Sequence, residues 1–286
     1  MVNPLITSRD KKGRQAVTIF SAAYDKAGLD ADSAQQLNER GDELRAGVAE
    51  LIARLSVSNQ FANEEVSSTY GYLSGYTAPK TLAEQVAKLR ELFPQLLNVD
   101  LPLAGDAHVL PDGAEGPFAI PDWRKIAPTH DGAVQIVFDL LAKAYGDKFK
   151  NWLQGEMNRL RQSAKSVILW EKISASQNGN DILVVDAQFG LLHRGRSVRR
   201  AREVMRQNQA GLGAFAVGIM LLTHANRLQH IDDLWIDCAG DEYLVDTASS
   251  RAPFFDFRGG DLLFGADSVG GAYAFCGSAS FFLPQS

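Results

Sequence analysis

The stretch Asn178-Gly179-Asn180-Asp181-Ile182-Leu183-Val184-Val185-Asp186 decides how the chain is read, because its two halves belong to different kinds of structure. Asn-Gly-Asn is turn chemistry. The four apolar residues behind it are too few for a helix, and their β-branched members pack best on a pleated surface. A buried strand is expected over Ile182–Val185, bounded by Asp181 and Asp186. A run of the same kind, Leu234-Trp235-Ile236-Asp237-Cys238, predicts a second central strand.

Upstream of this point the apolar period is helical. Val17, Phe20, Tyr24 and Ala27 form one stripe, and Leu44, Val48, Leu51, Ile52 and Leu55 another. Two amphipathic helices packed as a hairpin are expected, with Gly28 ending the first and Asp32 or Ser33 capping the second. A third helix is predicted from Thr81 to Phe93, where Leu82, Val86, Leu89 and Phe93 share a face before Pro94 stops the pattern. Five prolines between Pro102 and Pro128, interleaved with glycines, read as an irregular connector. Helical spacing resumes at His130–Tyr145 and again over Trp152–Trp170. The organisation expected is α+β: a helical N-terminal region over 1–100, a Pro/Gly-rich connector over 101–128, and a mixed domain over 129–286.

The chain has 286 residues, 45% of them hydrophobic and 22% charged, enough to bury one sizeable core or two smaller ones. A net charge of −5 argues against a general nucleic-acid coat, which would carry excess Lys and Arg. The first ten residues lack an apolar stretch behind a basic segment, and the longest apolar run, Leu212–Leu222, is well short of the roughly 20 residues that cross a bilayer. A soluble cytoplasmic protein without membrane contact is expected. Cys238 and Cys276 have no CxxC spacing and read as reduced thiols, and no metal or cofactor is implied.

Two groups of residues carry candidate chemistry. Arg194, Arg196, Arg199, Arg200 and Arg202 put five guanidinium groups within nine residues at a predicted helix start, which suits a phosphate, a carboxylate or nucleic acid. The plainer expectation is that at least two of them pair with the chain's own acids. Asp186, His193 and Asp237 could form a hydrolase-like site if folding brought them within hydrogen-bond reach. No nucleophile elbow, HExxH helix or metal loop accompanies them, and Gly211, Gly213 and Gly218 do not make a dinucleotide fingerprint.

The C-terminal segment from Arg251 alternates Phe255 and Phe257 with Asp256 and Arg258, then Leu262 and Phe264 with Asp261 and Leu263, around Gly259-Gly260. That is a hairpin with a glycine turn. Period 2 puts Phe255, Phe257, Leu262 and Phe264 on a buried face, and Asp256, Arg258, Asp261, Leu263, Asp267 and Tyr273 on an exposed one. Between Phe254 and Phe281 there is no Lys, Glu, Gln, Met or Trp. Every residue present there can be reached from an AAY codon randomised at its adenines, and the five missing types cannot.

The runs Ile182 to Arg202, Gly213 to His224, Asp233 to Glu242 and the closing Gly277-Ser278-Ala279-Ser280 resemble a family of bacterial proteins found many times over in small-genome candidate-phyla bacteria, read here as target (variable) proteins of diversity-generating retroelements. The similarity spans most of the chain and is densest from residue 182 onward. It departs from the family's pattern at Phe281, where Gly is expected, and at Ser268, where an aromatic is expected. The resemblance implies a C-type-lectin-like C-terminal domain over 129–286 whose last strands and loops carry residues varied by mutagenic reverse transcription. It implies binding of a protein or other macromolecular ligand without catalysis. The expected ligand-binding surface is Phe254, Asp256, Arg258, Asp261, Leu263, Asp267, Val269, Tyr273, Phe275 and Cys276. The alternatives are a nucleic-acid or phosphate-binding protein using the Arg194–Arg202 cluster, and a hydrolase-like enzyme using Asp186, His193 and Asp237.

Overall fold

A computed structural model describes residues 7–55, 59–101, 109–245 and 251–284. The chain divides into two compact units, 1–56 and 57–286. The division falls well before the boundary near residue 100 that the helical pattern led us to expect.

The first unit holds α1 (Lys11–Ala27), α2 (Ala31–Glu39) and α3 (Gly41–Leu55). Gly28 closes α1 in the left-handed conformation, as expected of a C-terminal cap, with φ +63°. The next helix starts earlier than predicted, by two residues from Asp32: Asp30 is the cap, its carboxylate accepting from the Ser33 amide. The second predicted helix is two, separated at Arg40. The apolar stripes are not buried, for Val17, Tyr24, Leu44 and Ile52 are all exposed. Periodicity thus located the helices and overstated their packing.

The second unit contains everything else. In chain order it holds α4 (Leu82–Leu92), β1 (Gly116–Pro121), α5 (His130–Tyr145), β2 (Phe149–Asn151), β3 (Leu160–Gln162) and α6 (Ala164–Ser176). These are followed by β4 (Ile182–Gln188), α7 (Val198–Val204), β5 (Gln209–Gly211), α8 (Ala214–Thr223), β6 (Trp235–Asp237) and β7 (Asp241–Tyr243). The chain closes with β8 (Arg251–Arg258), β9 (Asp261–Ser268), β10 (Cys276–Ser278) and β11 (Ser280–Phe282). The protein is thus α+β, with helices first and a sheet-rich C-terminal region. Among the described residues no helix is long and apolar enough to cross a membrane.

Helix α4 forms where expected because Thr81 and Glu84 make a reciprocal capping box. Its Val86 and Leu89 are buried in the core of the second unit. The connector predicted over 101–128 is only partly that. Residues 102–108 lie outside the described residues, while 116–121 form strand β1, paired antiparallel to β4. Two prolines within β1 misled the reading, and they are tolerated because β1 is an edge strand. The helix predicted over Trp152–Trp170 is likewise replaced by short strands and turns, and α6 begins only at Ala164, capped by Ser163.

Two sheets result. One runs β1-β4-β11-β5, and the other runs β10-β6-β8-β7-β3 with β9 and β2 added alongside β8. Both predicted strands, Ile182–Val185 and Leu234–Cys238, appear in interior positions, one in each sheet. Helix α8, built from the apolar run that was too short to span a bilayer, is buried along its whole length against α5 and β1.

The sheets are joined backbone to backbone. A Cβ placed on Gly240 would lie 2.3 Å from the Gly211 carbonyl oxygen, and one on Gly211 would lie 2.3 Å from the Ala239 carbonyl carbon. The Gly240 amide donates to Leu212 O at 2.8 Å across this crossing. Close by, β10 leaves one sheet and, after the single residue Ala279, β11 enters the other; Ala279 N donates to Asp237 O and Leu212 N to Ala279 O. Gly240→Ala is expected to destabilise the protein by about 3 kcal/mol, the upper end for overpacking, because the facing atoms are backbone. Gly259→Ala, at an open turn with φ +65°, is expected to cost about 1–2 kcal/mol. Urea unfolding of the two variants checks the order.

Candidate functional site

The C-terminal hairpin forms as the sequence requires. Gly259 and Gly260 take φ of +65° and +87°, and Arg258 pairs with Asp261 across the turn. Phe255, Leu262 and Phe264 point into the core, and the rings of Phe255 and Phe264 pack on Phe138 of α5. Phe257, expected with them, is only half-buried.

The other face differs from expectation. Asp256 and Leu263, expected to be exposed, are buried, and so are Phe254 and Cys276 of the expected ligand-binding surface. Strand alternation separates two faces but does not say whether the second is covered. Here it is: Phe254 stacks on Trp235 at 5.4 Å, the Trp152 and Phe254 rings close over Gly265, and Arg258 forks onto Asp256 while lying 4.5 Å above the Trp235 ring. The remaining members of the set, Arg258, Asp261, Asp267, Val269, Tyr273 and Phe275, are exposed or half-buried.

Register explains which of these side chains meet. Asp237 of β6 stands opposite Phe254 of β8, Phe254 opposite Gly265 of β9, Ala252 opposite Asp267, and Cys276 of β10 beside Trp235. Opposed residues share a face, so Trp235, Asp237, Phe254, Asp267 and Cys276 converge. They line a small pocket of about 10 Å3, with Val198 of α7, Ser268 and Tyr273 at its edge. The backbone beneath is fixed: Trp235 N donates to Phe275 O and Cys276 N to Tyr273 O.

Asp237 is the chemically distinctive member. It is 9% exposed, lines the pocket, and receives no hydrogen bond to its carboxylate among the described residues. Burial, and secondarily the neighbouring Asp267, push its pKa up to about 7, against the pull of Arg202. Arg202 does not reach it; its Nε donates to Ala239 O at 2.9 Å and its Nη2 to Asp241 O at 2.6 Å. The Cys276 thiol is pushed up, first by burial and then by Asp237 and Asp267. The sequence reading had set Asp237 apart from the display positions, in the hydrolase-like alternative. Trp235 it named only as part of a strand, although alternation with core-facing Ile236 places Trp235 and Asp237 together on the opposite face.

The other candidate residues are held elsewhere. His193 is buried, its Nδ1 lying 3.2 Å from Arg196 Nη1 and its Nε2 2.9 Å from the Gln209 side-chain amide. Burial and then Arg196 push its pKa down to about 3, leaving it neutral near pH 7. Both ring nitrogens therefore face a guanidinium and an amide, while Asp186 lies in β4 of one sheet and Asp237 in β6 of the other. The arrangement does not assemble the acid–base trio that the enzyme alternative needs.

The arginine cluster is a clamp. Arg199 Nε lies 2.9 and 2.8 Å from the two Glu64 oxygens, Arg200 pairs with Glu65 and Glu203, and Arg196 lies 3.4 Å from Glu65. Arg194 donates to Tyr70 O. The anion-binding candidates Arg194, Arg196, Arg199 and Arg200 are thus engaged with the protein's own groups, as its surplus of acids led us to expect.

A larger cleft, of about 60 Å3, is lined by Trp123, Arg124, His130, Trp170 and others between β1, α5, α6 and α8. Its main charged pair is satisfied internally, Arg124 forking onto Asp122, which also accepts from Ser174. The smaller pocket is the better candidate because it is built largely from the C-terminal segment and holds Asp237, whose carboxylate receives no hydrogen bond among the described residues. Among the described residues no group of three or more His, Cys, Asp or Glu is placed to hold a metal ion.

Two predictions follow from this geometry. Phe254→Ala and Leu263→Ala should each cost about 2–5 kcal/mol, whereas Asp267→Ala and Tyr273→Ala should stay within about 0.5 kcal/mol; a thermal-melt series compares them. Asp237, with a folded pKa near 7 against an ordinary 3.8, binds a proton more tightly in the folded state, so stability falls as pH rises from about 4 through 7. Asp237→Asn should therefore raise Tm by a few degrees at pH 8 and change it little at pH 4, as read by melts across that range. Comparison of the chain with protein-family models, curated proteins and solved structures finds no match, so the functional reading rests on this geometry and on the sequence.

Proposed function

We propose that the protein is a non-catalytic ligand-binding protein whose second unit presents a diversified surface on a C-type-lectin-like domain, in the manner of the target proteins of diversity-generating retroelements. The observation that carries this reading is the convergence of Phe254, Asp267, Tyr273 and Cys276, all within the compositionally restricted segment, on one pocket with Trp235 and Asp237. Asp261, Val269 and Phe275 stand exposed or half-buried on the same segment. A rigid ladder beneath and side chains of varied chemistry above is what a recognition surface needs, because the shape can change without loss of the scaffold. Two small sheets with helices packed between and beside them, and a last strand that returns to pair with β4, are compatible with the lectin-like fold.

The ligand is a protein or other macromolecule, and aromatic and arginine side chains supply the contact area. The nucleic-acid alternative loses its main support, since the arginines it would use are paired with Glu64, Glu65 and Glu203. Two buried, unpaired thiols, Cys238 and Cys276, fit the cytoplasmic setting expected from the sequence.

Two measurements test the reading. The gene should lie beside a reverse-transcriptase gene and an imperfect repeat of its own 3′ end, differing at adenines; a neighbourhood with neither overturns the retroelement assignment. A library varied together at Asp261, Asp267, Val269, Tyr273 and Phe275 should keep most members resistant to proteolysis. If most unfold, the segment is a structural strand pair and not a display surface.

A further inference from the structure

The pocket's chemistry is specific enough to name what enters it. Asp237 sits at the floor, nine-tenths buried and without a hydrogen-bond donor among the described residues, and Asp267 sits exposed at the rim. Two carboxylates facing one small space repel each other, and an unsatisfied buried carboxylate is costly, so the space is complementary to positive charge. Its walls are aromatic: Trp235, Phe254 and Tyr273. The protein already binds a cation in this way next door, where Arg258 lies 4.5 Å above the Trp235 ring and 5.4 Å from that of Trp152.

Size narrows the choice further. A volume of about 10 Å3 admits one group about as large as a water molecule. A tetrahedral ammonium fits that space, and the planar fork of a guanidinium does not. A calcium ion is disfavoured because it takes six to eight oxygen ligands, and the pocket offers two carboxylates among aromatic walls.

We propose that this pocket takes the primary ammonium group of a lysine side chain presented by a protein ligand, with Asp237 and Asp267 as its counter-charges and Trp235, Phe254 and Tyr273 as its walls. The proposal rests on the display-surface reading and deepens it. Binding then depends on pH. The titratable and charged groups around Asp237 and its pocket are Asp267 of β9, Arg202 of α7, the Asp256–Arg258 pair of β8, and the thiols of Cys276 in β10 and Cys238 behind β6. Asp237 gains its negative charge as pH passes through about 7, so affinity rises with pH through that range.

The test uses the full chain and two small probes, N-acetyl-lysine N-methylamide and its norleucine counterpart, with the Trp indole signals followed by NMR. At about pH 8 the lysine probe should shift the Trp235 indole resonance saturably, and the norleucine probe should not. Affinity should fall about ten-fold at pH 5.5, and about ten-fold in Asp237→Asn and in Asp267→Asn, as expected for loss of one close charge partner. Because Asp267 is exposed, Asp267→Asn tests the second counter-charge without altering the buried floor. Equal binding of the two probes, no binding by folded protein at pH 8, or displacement of the lysine probe by equimolar Ca2+ would each overturn the ammonium assignment. None of these results touches the display reading, which stands or falls with the library.

Discussion

Two backbones meet at Gly211 and Gly240 more closely than any side chain allows, and the placement of the rest of the second unit depends on that contact. It brings the end of β5 against the turn between β6 and β7, locking one sheet onto the other. A similar approach joins Gly190 to Gly277, where a Cβ on either residue would fall within 2.7 Å of the other's carbonyl oxygen. Between these two crossings run β6 and β10, the strands that carry Trp235, Asp237 and Cys276. The floor of the pocket is therefore anchored by main chain on both sides, and its rim is carried on the paired strands β8 and β9.

The chain's surplus of charge is used in a structural way around this frame. Arg196, Arg199 and Arg200 hold Glu64 and Glu65, so the segment ahead of α4, which has no helix of its own, is drawn onto α7. Glu203 adds to this by accepting from the Gln60 and Phe61 amides. Further along, the Asp233 carboxylate accepts from the amides of Leu73, Ser74, Gln229 and His230. Arg227, fully buried, lies 3.6 Å above the Tyr72 ring, and the nearby Glu115 carboxylate accepts from the Tyr76 hydroxyl at 3.0 Å and the Phe189 amide at 3.0 Å. Buried charges are less costly where counter-charges and hydrogen bonds surround them, and these networks, in which Arg227 Nε and Nη1 have no hydrogen-bond partner among the described residues, hold residues 59–80 in place without regular secondary structure.

Asp237 breaks that pattern. Asp233, four residues earlier in the chain, is buried and hydrogen-bonded by main chain, whereas the Asp237 carboxylate is buried with only Asp267 and the indirect influence of Arg202 for company. An asparagine there would be easier to fold. A carboxylate kept where it lowers stability is the kind of exception that binding sites produce, and the proposed ammonium ligand would supply the missing counter-charge.

The sequence by itself determined the local elements whose signals are short-range. The Asn178-Gly179 turn and the strand behind it, the capping box at Thr81 and Glu84, the helix over His130–Tyr145 and the hairpin at Gly259-Gly260 all follow from dihedral preference, capping and period. It misjudged β1, because the prolines that signal a connector are also allowed on an edge strand, and it misjudged Trp152–Trp170, where an apolar period was produced by short strands. It also marked the segment from Phe254 to Phe281 as special, on composition alone. Tertiary structure decided what no local pattern contains: that both faces of the hairpin are covered, so that Phe254, Asp256 and Leu263 are scaffold, and that the arginines belong to Glu64 and Glu65 more than 130 positions away. It also decided that Asp237, a residue of a different strand, shares a face with Asp267, because cross-strand register and sheet-to-sheet contact arise from pairings distant in sequence.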